Sequence, residues 1–173
     1  MEDQEIWHGD ALTLIDKVEY NSINCCITSP PYYGLRDYKV DGQIGLEQTP
    51  DEYVANLVQV FREVRNRMTD DATLWVVIGD SYYNYRPGKG QALPKQSIAS
   101  NNQDLPTENA KRSRKFDGIK EKDLMGMPWM LAFAMRDDGW FLRQDIIWSK
   151  QNPMPESVKD RCTRSHEYIF QRS

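Results

Sequence analysis

The sequence predicts a three-layer α/β fold built on a mostly parallel sheet. Three observations carry that prediction. Two apolar runs of strand length, 23–27 and 72–78, are continuous rather than alternating, the mark of strands covered on both faces. Between them, Thr49-Pro50-Asp51-Glu52 spells out the start of a long helix. After residue 122 come a second helical pattern and two strand-like runs close together, the layout of an antiparallel pair.

Glu5 to His8 reads as a short strand ending at Gly9-Asp10, with a helix over 11–18 in which Leu12, Leu14 and Ile15 are apolar. Asp10 can cap that helix. In the run Ile23 to Ile27, Cys25 and Cys26 behave as small hydrophobes, so the strand is expected to be buried. Pro30 and Pro31 end it, since neither has an N–H to give to a ladder. The result is a rigid, extended turn at the carboxyl end of a strand, carrying the Ser29 hydroxyl and the rings of Tyr32 and Tyr33. Ligands of open α/β sheets sit at that edge.

Residues 33–48, with Gly34, Arg36, Asp37, Gly42 and Gly45, form a loop expected over the mouth of that edge. Thr49 is the next N-cap, Pro50 takes the first helical position and Glu52 completes a capping box. Tyr53, Leu57, Phe61, Val64 and Met68 then recur at helical spacing and belong to the core. Ala72 to Ile78 is the second strand and ends at Gly79-Asp80-Ser81. From 82 to 122 periodicity gives way to Asn, Gln, Pro, Lys and Ser, a loop of a length that is usually functional or disordered. Pro128 to Arg136 is an apolar helix that Gly139 can stop. Trp140 to Trp148 and His166 to Gln171 read as the closing strands.

The chain has 173 residues, enough for one domain with a core, and its 39% hydrophobic and 28% charged content is ordinary for a soluble protein. No apolar stretch has membrane-spanning length, and the acidic start (Glu2, Asp3, Glu5) does not suit a signal peptide. Three cysteines, two of them adjacent in a strand, make no disulfide framework, which points to a reducing cytoplasm. Two histidines and no Cys-x-x-Cys give no zinc site. A net charge of −4 requires any nucleic-acid contact to be local. Lys111, Arg112, Arg114, Lys115, Lys120 and Lys122 form one basic stretch, and Lys159, Arg161 and Arg164 another.

An apolar residue followed by Thr28-Ser29-Pro30-Pro31-Tyr32 resembles the catalytic motif of the amino-group DNA methyltransferases. The Ser form is similar to the cytosine-N4 branch, where the adenine-N6 enzymes usually carry Asp or Asn. A second stretch resembles the same enzymes: Trp148-Ser149-Lys150, Asn152-Pro153-Met154-Pro155, Arg161 and His166-Glu167-Tyr168-Ile169. The resemblance covers nearly the whole chain. It implies a Rossmann-like, S-adenosylmethionine-dependent methyltransferase fold acting on double-stranded DNA in a bacterial or phage-type cytoplasm. It implies that Ser29, Pro30, Pro31 and Tyr32 are catalytic and that Asp10 and Thr28 meet the cofactor. For Asp10, capping and contact with the adenosine are open alternatives that one carboxylate could combine. Tyr33, Asn152, Pro153, Arg161 and Arg164 would meet DNA, with Asn152 and Pro153 walling the flipped-base pocket and the arginines on flanking phosphates.

The chemistry fits these residue types. An exocyclic base amine is a poor nucleophile because its lone pair is delocalised into the ring. The Ser29 hydroxyl and the Pro30 carbonyl, held rigid by the prolines, can accept its two N–H bonds and draw the nitrogen towards a tetrahedral geometry. Tyr32 can replace the stacking a flipped base loses. No covalent intermediate is needed, so Cys25 and Cys26 have no nucleophilic task. In the permuted class that begins with Ser-Pro-Pro-Tyr, a target-recognition region and a Phe-x-Gly-x-Gly cofactor loop come later; the 173 residues hold no Phe-x-Gly-x-Gly. The expectation is therefore the catalytic half of such an enzyme, inactive alone, with the glycine-rich motif on a downstream or separate polypeptide. In that class two further strands lie between the Glu5–His8 strand and the Ile23–Ile27 strand, so the latter is expected to keep an unpaired edge. Adenine N6 as target, RNA as substrate, and a non-catalytic DNA-binding or partner subunit are the alternatives.

Overall fold

The computed structural model describes residues 4–83 and 118–173. The basic residues Lys111, Arg112, Arg114 and Lys115 lie outside the described residues, as do most of the polar loop 82–122 and its Gly88-Lys89-Gly90. In chain order the elements are α1 (Ala11–Leu14, continued by one 3₁₀ turn, Ile15–Lys17), β1 (Ile23–Thr28), α2 (Pro50–Arg67), β2 (Met68–Ile78), α3 (Met127–Asp137), β3 (Leu142–Ser149) and β4 (His166–Arg172). One four-stranded sheet runs in the order β1-β2-β4-β3. β1 and β2 are parallel, joined through α2 as a βαβ unit, and β4 is antiparallel to both β2 and β3. Three strands thus point one way, and the expected antiparallel pair is β3/β4. No described helix is long and apolar enough to cross a membrane.

α2 starts as its sequence requires. The Thr49 side chain accepts from the Glu52 N–H, Glu52 accepts from the Thr49 N–H, and Pro50 fills the first position. Tyr53, Val54, Leu57, Val58 and Phe61 of α2 pack with Leu131, Ala132 and Met135 of α3 and with Leu74, Val76, Ile78 and Phe170 from one face of the sheet. Val64 and Met68, the end of the expected stripe, are only half-buried. α3 stops at Asp137 and Gly139 turns the chain at φ +100°, so Trp140 is buried in the helix–strand link and β3 begins at Leu142, two residues later than expected. Arg172 is 1% exposed and donates from Nη2 to the Ala132 carbonyl at 2.9 Å; burial, and then the charge of Arg136, lowers its pKa to about 10.

The structure corrects three expectations. Residues 5–8 are not a strand: among the described residues they have no ladder partner, and Ile6 is 98% exposed. The helix expected over 11–18 has a single α turn before it tightens to 3₁₀. β1 and β2 are not covered on both faces. Burial in β2 alternates, with Leu74, Val76 and Ile78 inside while Trp75 and Val77 stay half-exposed. Among the described residues β1 is an edge strand paired only with β2, and its Ile27 is 74% exposed. The reason is common to both strands: α2 and α3 lie together on one face, and no described helix covers the other. The described residues supply two of the three expected layers.

Candidate active site

All four strands bring residues to one edge of the sheet. Ser29 follows the carboxyl end of β1, Gly79 and Asp80 follow β2, and Lys150 follows β3. Because β4 runs the opposite way, His166 and Glu167 at its start reach the same edge. This is the crevice side of an open α/β sheet.

The Pro-Pro turn is fixed from below. Tyr53, in the first full turn of α2 and fully buried, donates its hydroxyl to the Pro31 carbonyl at 2.8 Å. Burial, with the nearby Glu47 carboxylate, pushes that phenol well above its ordinary pKa, so it stays a donor. Pro30 is buried and Ser29 exposed, and no hydrogen bond among the described residues uses the Pro30 carbonyl. The turn therefore exposes Ser29 and leaves the Pro30 carbonyl unengaged among the described residues.

The two tyrosines part company. Tyr33 turns down onto Tyr53, ring centroids 5.4 Å apart, and its hydroxyl reaches the Glu47 carbonyl at 3.5 Å. The loop 33–48 folds back on α2 with it, through Gly34 N–H to the Gly45 carbonyl and Asn56 to Glu47. Tyr32 instead lies across the top of the sheet over Gly79. A Cβ built on Gly79 would meet Tyr32 Cε2 at 2.9 Å and Glu167 Cγ at 3.4 Å. Only glycine lets the ring come this close. The Tyr32 hydroxyl donates to Glu167 Oε2 at 3.1 Å, and the other oxygen, Oε1, is ion-paired with Lys150. Burial lifts the Tyr32 phenol above its ordinary pKa; a hydrogen bond from Ser29 partly offsets this, while the Glu167 carboxylate adds to it.

Asp80 is the most buried acid of the site, at 6% exposure. It accepts from Ser81 N–H (2.8 Å), Met127 N–H (3.1 Å) and Gly126 N–H (3.0 Å), and so caps α3 from the end of β2. Burial raises its pKa; those three bonds, and then the positive charge of Arg164, work against the rise. Arg164 lines a small open pocket with Asp80, Tyr82, Leu124, His166 and Tyr168, and its Nη1 is buried without a hydrogen-bond partner among the described residues.

The other residues singled out from sequence lie as follows. Asp10 is an exposed N-cap, and both Thr13 contacts, from N (3.0 Å) and Oγ1 (3.1 Å), fall on Oδ1. Thr28 ends β1 opposite Val76. Asn152 is exposed and Pro153 half-buried in the loop between β3 and β4. Arg161 is engaged inside the chain: it is ion-paired with Glu156, and its guanidinium stacks on the Tyr82 ring at 3.6 Å. The structure thus brings Ser29 and Tyr32 to the edge, with Arg164 beside Asp80 and His166 at the same edge, and leaves Tyr33 on the helix side. Asp80, Lys150 and Glu167 carried no assignment from sequence, although Lys150 and Glu167 stand inside the Trp-x-Lys and His-Glu-Tyr-Ile strings. Their signal was in plain view; the pairing of Tyr32 with Glu167 spans 135 residues and was not.

Residues 23–173 match the model of the N6/N4 methyltransferase family, described as DNA methylase. This chain belongs to that family. It is 47% identical over 165 residues to the Type II methyltransferase M.XycI of Xanthomonas campestris pv. cyanopsidis, covering 95% of this chain and 52% of that protein. Against M.Cfr9I of Citrobacter freundii the figures are 48%, 95% and 52%, and against M.SmaI of Serratia marcescens 46%, 94% and 53%. The chain spans about half the length of these curated relatives. Among solved structures, the PvuII DNA methyltransferase (cytosine-N4-specific) superposes with a TM-score of 0.62 at 19% identity, over 95% of this chain and 47% of that one. A putative DNA modification methylase of Thermus thermophilus, solved with S-adenosyl-L-methionine, gives 0.59 at 20% identity, over 95% and 50%. The likeness is one of fold, and the fold is the expected Rossmann-like methyltransferase fold in part.

The approach of Tyr32 to Gly79 yields a prediction. Gly79→Ala forces the ring or the strand end aside and lowers unfolding stability by about 1–3 kcal/mol, the ordinary cost of overpacking. Urea unfolding measures the loss. A Tyr32 ring resonance that moves while the Phe61 ring and Leu74 methyl resonances do not shows that the strain is local. An unchanged midpoint would mean the ring does not rest there.

Proposed function

We propose that this chain carries the catalytic half of a site-specific DNA methyltransferase of the permuted class beginning with Ser-Pro-Pro-Tyr, acting on the exocyclic amine of a flipped base, cytosine N4 ahead of adenine N6. The observation that carries the reading is the rigid turn at the sheet edge, with Ser29 exposed and the Pro30 carbonyl unengaged by any hydrogen bond among the described residues.

The chain's task is to make a poor nucleophile attack. The Ser29 oxygen and the Pro30 carbonyl accept the two amine N–H bonds, and the lone pair they release points away from the base plane. Both acceptors are set before the base arrives, so little reorganisation accompanies the charge that develops on nitrogen. Pro31, tied to Tyr53, keeps them in register. The Tyr32 ring offers a stacking face to the extruded base, worth roughly 1–3 kcal/mol by analogy with single-strand binders. Asn152 and Pro153 wall the pocket. Tyr33, Arg161 and Arg164 complete the proposed DNA contacts, Arg161 by exchanging Glu156 for a phosphate oxygen and Arg164 with its unsatisfied Nη1. Serine at position 29 favours cytosine, and the PvuII enzyme that shares the fold is described as cytosine-N4-specific.

S-adenosylmethionine would supply the activated methyl group. Asp10 fits its adenosine end, since the carboxylate is exposed and Oδ2 makes no hydrogen bond among the described residues. Thr28, at the end of β1, borders the same edge. The methionine end needs a glycine-rich turn, where backbone can approach the ligand closely. We assign that turn to a downstream or separate polypeptide that also pairs with β1; its free edge and the 74% exposure of Ile27 support this.

In the intact enzyme Ser29→Ala lowers the single-turnover methylation rate about a hundredfold with little change in DNA affinity, the usual cost of losing one preorganised group. A rate within a few-fold of wild type would remove Ser29 from the chemistry. Digested product DNA yields N4-methylcytosine by mass spectrometry; N6-methyladenine alone would reverse the choice of base. The 173 residues alone show no micromolar S-adenosylmethionine binding by calorimetry, and finding it would refute the need for a second segment.

A further inference from the structure

Glu167 is half-buried at the sheet edge, 14% exposed in its side chain, and both of its oxygens are engaged: Oε2 accepts from Tyr32, and Oε1 is paired with Lys150 of the neighbouring strand end. We propose that Glu167, braced by Lys150, is a positioning residue that sets the tilt of the Tyr32 ring for the incoming base. The inference rests on the reading of Tyr32 as the base platform.

The argument is geometric. Tyr32 hangs from a stiff Pro-Pro backbone, but its own side chain still has two torsions. Gly79 supplies a floor at contact distance and so fixes the height of the ring. A floor does not fix direction, and a phenylalanine would fill the same space equally well. The hydroxyl adds direction, and its acceptor is a carboxylate that cannot swing freely because Lys150 holds its second oxygen. A lone carboxylate in that half-buried place would be costly, and the ion pair is what lets it stand there. The same engagement argues against the rival role of general base, since neither oxygen is open to a substrate proton. Ser29 stands three residues before Tyr32 on the same stiff Pro-Pro turn, so a ring held in direction faces an acceptor carried by the same backbone.

Two readouts in the intact protein test this. The first is the phenol-carbon resonance of labelled Tyr32. Lys150→Met removes a side chain with no contact to Tyr32, yet it shifts that resonance; in a Glu167→Leu background the same substitution leaves it still. The second is single-turnover methyl transfer. Glu167→Leu and Tyr32→Phe each slow it about tenfold with the DNA dissociation constant within about twofold, and the double variant is no slower than either single one. Glu167→Gln recovers most of the loss, because its amide oxygen still accepts. A Tyr32 resonance indifferent to Lys150, or losses that simply add, would overturn the proposal. Absence of methyl transfer by the wild-type protein would instead sink the methyltransferase reading, and the resonance would still decide whether Glu167 holds Tyr32.

Discussion

The site depends on one part-buried hydrogen bond, from the Tyr53 hydroxyl to the Pro31 carbonyl. A neutral bond of this kind contributes about 1 kcal/mol net, but a buried polar group left unsatisfied costs roughly 1–3 kcal/mol, and Tyr53 is fully buried. Its leverage is positional. The capping box at Thr49 and Glu52 fixes where α2 begins, the first turn fixes Tyr53, and Tyr53 fixes the turn that carries Ser29 and Tyr32. A helix cap thus sets the height at which a hydroxyl stands above the sheet.

Around that anchor the charged groups of the edge are tied in pairs rather than left open. Asp80 faces the amino end of α3, Glu167 faces Lys150 and Tyr32, and Arg161 faces Glu156 and Tyr82. In a chain of net charge −4, such pairing keeps the few cations near the site from acting as a diffuse basic surface. Arg164 stands apart, with a buried Nη1 that no described group satisfies beside a small pocket. The site is therefore stiff where it holds its acceptors and has donor capacity to spare where a polar ligand could enter.

Much of this was legible in the sequence because its causes are local. Thr49-Pro50-Asp51-Glu52 determines a helix start within four residues, and Pro30-Pro31 must end a strand whatever surrounds it. The strings from Ile27 to Tyr32 and from Trp148 to Ile169 carried the family. What was not legible depends on distant partners. A continuous apolar run promised two covered faces, yet whether Trp75 and Val77 are covered depends on helices packed elsewhere. Glu5–His8 has strand-forming residues and, among the described residues, no strand to join. Asp80 resembles Asp10 in sequence, each after a glycine at an expected strand end, but Asp10 caps the helix that follows it while Asp80 caps α3, begun 47 residues later. That Arg161 stands between Glu156 and Tyr82, and Arg164 beside Asp80, is equally a matter of distant partners.

The central claim is that the Ser29 hydroxyl and the Pro30 carbonyl are the paired acceptors of a base amine. The most direct measurement is a crystal structure of the intact protein on DNA with a cofactor product. The account predicts the extruded base stacked on Tyr32, its exocyclic nitrogen within hydrogen-bond distance of both Ser29 Oγ and the Pro30 oxygen. A base extruded into the pocket beside Arg164 and Asp80, with its amine out of reach of Ser29, would contradict it.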